Sequence, residues 1–81
     1  MSRIDNIKLY MTDWAGGSAR VGFISSDAPA SEEVYNWLAE ETICYCGINE
    51  TPQNIKAYAI TVRQMFQDGD LKLTNGWLEL T

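Results

Sequence analysis

Leu71, Leu73, Leu78 and Leu80 stand symmetrically about Asn75-Gly76, and this spacing constrains the fold more than any other feature of the chain. Asn-Gly is the strongest short-range signal for a two-residue hairpin turn, because both central residues of that turn need positive φ. The register that follows sets Leu71 opposite Leu80, Leu73 opposite Leu78 and Lys72 opposite Glu79, with all four leucines on one face. A lone hairpin is marginal in water, so the leucine face needs a cover.

A helix able to supply it lies just upstream. Thr51 caps it, Pro52 takes the first helical position, and Ile55, Tyr58, Ala59, Val62, Met65 and Phe66 recur at helical spacing until Gly69 ends it. Another helix is expected before it, after residues 26–31. Asp27 or Ser31 is placed to accept from the free amides at its start, Glu32 and Glu33 fall in its first turn, and Val34, Trp37 and Leu38 form its inner stripe. Its end is open. Residues 42–46 are rich in strand-forming types, so either the helix runs to about Cys46 with Gly47 as C-cap, the reading adopted, or it frays earlier.

At the N-terminal side Ile7, Leu9 and Met11 alternate with Lys8, Tyr10, Thr12 and Trp14, which is strand periodicity. Gly16-Gly17 then reads as a tight turn and residues 19–25 as the returning strand, with Trp14 opposite Ala19, Asp13 opposite Arg20 and Tyr10 opposite Phe23. The expected fold is α+β: an antiparallel sheet of two β-hairpins, order ββααββ, with two helices packed on the face bearing Ile7, Leu9, Met11, Ile24 and the leucines. Its 81 residues suit a single domain, 1–81. A hydrophobic share of 46% against 21% charged places the chain well inside the folded regime.

The residue inventory argues against catalysis. Histidine is absent, which removes the commonest general base and the commonest metal ligand. Cys44 and Cys46 lie too close to staple the fold and lack the companions a structural zinc site requires, so buried or half-buried reduced thiols are expected. Asp68-Gly69-Asp70 opens no calcium loop, and Gly16-Gly17 lacks the Gly-Lys-Ser/Thr of a phosphate loop. The expectation is a non-enzyme with no cofactor and no metal. With neither a run of about 20 apolar residues nor a signal-peptide core, a cytoplasmic protein that avoids membranes is expected, and the Asn49-Glu50-Thr51 glycosylation triplet carries little weight.

Charge and aromatics suggest what the chain does instead. Between residues 21 and 55 there is no Lys or Arg, while Asp27, Glu32, Glu33, Glu40, Glu41 and Glu50 all fall there. A one-signed stretch of this kind repels nucleic acid and favours a basic partner. A helix of this length spans about 22 Å, over which duplex DNA carries on the order of 13 charges, so four glutamates make a poor duplex mimic. The candidate partner-binding residues are Glu32, Glu33, Trp37, Glu40 and Glu41 on the acidic helix, and Tyr10, Trp14 and Trp77 on the sheet face turned from the helices.

In size, acidity, lack of catalytic residues and β-α-β layout the chain resembles the small anti-defence proteins of phages, anti-CRISPR inhibitors in particular. The likeness is one of profile and matches no specific motif. It implies an inhibitor acting in the host cytoplasm that docks on a basic surface of a nucleic-acid-handling complex, such as a CRISPR effector, with no direct nucleic-acid contact. Two rivals share the aromatic sheet face: a structural module that homo-oligomerises, as a homodimer for example, by burying it, and a single-stranded nucleic-acid binder that stacks bases on it.

Overall fold

A computed structural model describes residues 2–21 and 31–81. Ser2 opens α1 (Arg3–Leu9) through a capping box, accepting from the Asp5 amide at 3.1 Å while its own amide donates to the Asp5 carboxylate. The helix widens into a π turn over Tyr10–Trp14, in which the Ala15 amide donates to the Tyr10 carbonyl at 3.1 Å. Gly16 and Gly17, both at positive φ, end it and feed β1 (Ser18–Arg20).

The ββααββ layout is thereby corrected. Residues 7–14 are helical and the described residues form no N-terminal hairpin, so the expected pairs of Trp14 with Ala19 and Asp13 with Arg20 do not form. The physical reason is that the segment satisfies two periods at once. Ile7, Tyr10 and Met11 recur at i, i+3 and i+4 and are buried together, whereas Leu9, inward in the strand reading, is exposed. Expectations placed on Phe23, Ile24 and Asp27 lie outside the described residues.

Helix α2 (Glu32–Cys46) takes the longer of the two expected courses, and Gly47 closes it at φ 70°. Ser31 stands at the N-cap by backbone geometry but makes no side-chain capping bond. Helix α3 (Pro52–Gln67) begins as expected, with the Asn54 amide donating to the Thr51 hydroxyl at 3.1 Å. Asn6 on α1 donates to the Tyr58 hydroxyl at 2.8 Å and Arg3 to the Thr61 hydroxyl at 3.1 Å, which ties the added helix to α3.

Strands β2 (Leu71–Thr74) and β3 (Trp77–Leu80) form the expected hairpin, with Leu71 opposite Leu80, Leu73 opposite Leu78, and Lys72 paired to Glu79 at 3.5 Å. Strand β1 adds to the other edge of β3, setting Ala19 against Leu78, so the order is β1-β3-β2, antiparallel throughout. The three helices and the sheet enclose one core around Ile7, Met11, Leu38, Val62, Met65 and Leu78. Burying such side chains contributes about 1.5–3 kcal/mol each.

Candidate functional site

The π turn and the second half of α2 bring three aromatic rings together. Tyr10 meets Tyr45 edge to face at 5.9 Å between centroids, and Trp14 lies over the same Tyr45 at 6.3 Å, tilted by 38°. Tyr10 is only 4% exposed and forms the floor, whereas Trp14 is 70% exposed and forms a wall. With Glu41 and Cys44 these rings line a notch of ≈ 270 Å³.

Local sequence explains the assembly. Glu41 and Tyr45 are four residues apart and share one stripe of α2, and Tyr10 and Trp14 stand at the two ends of the π turn. The Tyr45 hydroxyl donates to the Asp13 carboxylate, which fastens the stripe to the turn. That bond holds the Tyr45 proton above its ordinary range. Burial first, then the neighbouring Glu41 carboxylate, pushes the Tyr10 hydroxyl up to about 12. Both phenols are therefore neutral at physiological pH, while Asp13 and Glu41 supply negative charge beside uncharged rings.

A second concavity of ≈ 610 Å³ runs between α2 and α3, and its composition differs. Glu32 and Glu40 line it together with Lys56 and Arg63, over a floor that includes Tyr35 and Ile55. Among the described residues the one ion pair is Lys72 with Glu79, so these four charges face one groove without direct contact. Two of the four helix glutamates thus sit in the field of nearby cations. The acidic helix is compensated on its α3 side and uncompensated at the notch, where no Lys or Arg is among the lining residues.

The residues singled out from sequence therefore divide. Tyr10, Trp14 and Glu41 are brought together in the notch, Glu32 and Glu40 in the mixed-charge groove, and Glu33 is exposed, lining neither. Trp37 is half-buried against the core, which is a packing position. Trp77 remains on β3, 44% exposed. The aromatic sheet face expected to collect Tyr10, Trp14 and Trp77 is not formed, because the first two belong to the π turn.

Sequence reasoning missed Tyr45, Asp13 and Cys44 as neighbours of this site. The Glu41-to-Tyr45 and Tyr10-to-Trp14 spacings, each i to i+4, were the available signal. Of the two thiols, Cys44 is exposed, against expectation, whereas Cys46 is half-buried as expected, with its pKa raised by that burial. Among the described residues no group of three His, Cys, Asp or Glu is placed to hold a metal ion, and no helix is long and apolar enough to cross a membrane. Comparison with protein-family models, curated proteins and solved structures returns no match for the chain.

Proposed function

We propose that this chain is a non-catalytic binding protein that docks on a basic surface of a protein partner and blocks that partner's activity, in the manner of the small phage inhibitors it resembles. The observation that carries this reading is the notch itself. Trp14 keeps most of a large aromatic side chain in solvent, in one notch with the Glu41 carboxylate, which no lining cation neutralises. Exposed Trp and Tyr are the residues that most often anchor interfaces, and complementary charge speeds encounter. The chain's formal charge of -5 adds a long-range attraction toward a basic partner and opposes nucleic acid.

Affinity capture at low and at high salt, with the captured proteins identified and their activity assayed with added chain, tests the proposal. A basic nucleic-acid-handling complex retained at low salt, released at high salt and inhibited in proportion to added chain is the expected result. Glu33→Lys slows association with that complex, whereas Glu40→Lys has a smaller effect because Lys56 and Arg63 already share its groove. Capture that ignores salt, or a captured complex whose activity is unchanged, removes the reading.

A further inference from the structure

Resting on the binding reading above, we propose that the Tyr10–Trp14–Tyr45 notch is a receptor for a single arginine side chain presented by the partner. Three independent features converge on a planar cation. The notch is lined by aromatic rings, Tyr10 beneath and Trp14 and Tyr45 beside it, and a cation over an aromatic face is attracted by the ring quadrupole. It contains one carboxylate, Glu41, and no lining cation, so an entering positive charge finds a partner and no competitor. Its ≈ 270 Å³ falls just below the roughly 300–1,000 Å³ of small-molecule sites, which suits one side chain better than a nucleotide or cofactor.

Guanidinium fits this set better than ammonium does. It stacks flat on an indole while its edge donates two parallel hydrogen bonds to a carboxylate, and it is more weakly hydrated than the compact lysine head. The Trp14 face and the Glu41 carboxylate supply those two halves of the recognition. The π turn is the structural device behind it, since an irregular helical turn of this kind frequently marks a functional position. The Tyr45 bond to Asp13 fixes the shared ring before any partner arrives, which lowers the ordering cost of binding.

The alternative sites do not carry the same argument. The α2–α3 groove has cations as well as carboxylates, and the shallow surface between Ile4, Ile60 and Gln64 offers apolar contact with Arg3 as its only charge.

The test is a heteronuclear NMR titration of the whole chain with acetyl-Gly-Arg-Gly-amide, its citrulline counterpart and its lysine counterpart. Saturable shifts of the Trp14 indole N–H and the Glu41 amide with the arginine peptide, weaker ones with lysine and none with citrulline, are expected. Trp14→Ala weakens arginine binding by roughly two- to thirty-fold, the range for loss of one cation–π partner. Trp77→Phe leaves it unchanged. Equal shifts with citrulline, binding of lysine as tight as arginine, or equal loss in Trp77→Phe overturns the assignment. A chain that captures a basic partner but fails this titration keeps the binding reading and loses the arginine receptor; a chain that passes the titration but captures no such partner does the reverse.

Discussion

The hydroxyl of Tyr45, late in α2, donates to the carboxylate of Asp13 in the π turn, across 32 positions of sequence. Through this bond the ring shared by Tyr10 and Trp14 is held by both elements that build the notch. Asp13→Asn keeps the side-chain shape and removes the negative charge. The Tyr45 pKa then falls back toward the ordinary tyrosine value, while Tyr10, whose shift comes from burial and Glu41, is unmoved. A pH titration of the tyrosine ring carbons by NMR reads the two separately, and a joint shift of both would contradict separate causes.

Tyr10 gives the chain an alkaline signature. Its proton is held up to about 12 in the folded state against an ordinary 10.0, so the unfolded chain releases that proton first. The contribution is intact below pH 10.0 and is lost as pH climbs toward about 12, because across that window the folded state binds more protons than the unfolded one. Chemical denaturation at stepped pH measures the decline. In Tyr10→Phe, which keeps the packed ring, the decline over that window is shallower.

Thr42 is fully buried in α2, and its hydroxyl oxygen has no hydrogen-bond partner among the described residues. An unpaired buried hydroxyl costs about 1–3 kcal/mol, and Val has nearly the same outline without it. Thr42→Val is therefore expected to stabilise the fold by about 1 kcal/mol in urea denaturation. A loss of stability would mean that the hydroxyl is satisfied after all.

Gly47 closes α2 at φ 70°, and no described residue comes within 4 Å of where a side chain would begin. The only penalty for Gly47→Ala is thus backbone conformation, about 1–2 kcal/mol. A lower denaturation midpoint with an unchanged slope is the expected outcome, since nothing else in the packing changes.

Legibility in the sequence followed how many local signals agreed. For α3 the Thr51 cap, Pro52 and the apolar period all pointed one way, and for the C-terminal hairpin the Asn-Gly turn and the leucine spacing did the same. Residues 7–14 carried two periods, and the strand reading of Ile7, Leu9 and Met11 ignored the Ser2 and Asp5 capping pair that decides for helix. That error moved Tyr10 and Trp14 onto a sheet face and dissolved the site. Glu41 was singled out for charge alone, and its meeting with Trp14 depends on the π turn, which no composition announces.

The placement of β3 between β1 and β2 also orders events during synthesis. The three helices precede β2 and β3 in the chain, so their mutual contacts are available early. Strand β1 waits much longer: Ser18 has its partner in Glu79, and its edge remains bare until Leu80 has left the ribosome. An unpaired edge is a template for foreign strands, which makes the interval before Leu80 emerges the stage at which a nascent copy is most open to aggregation.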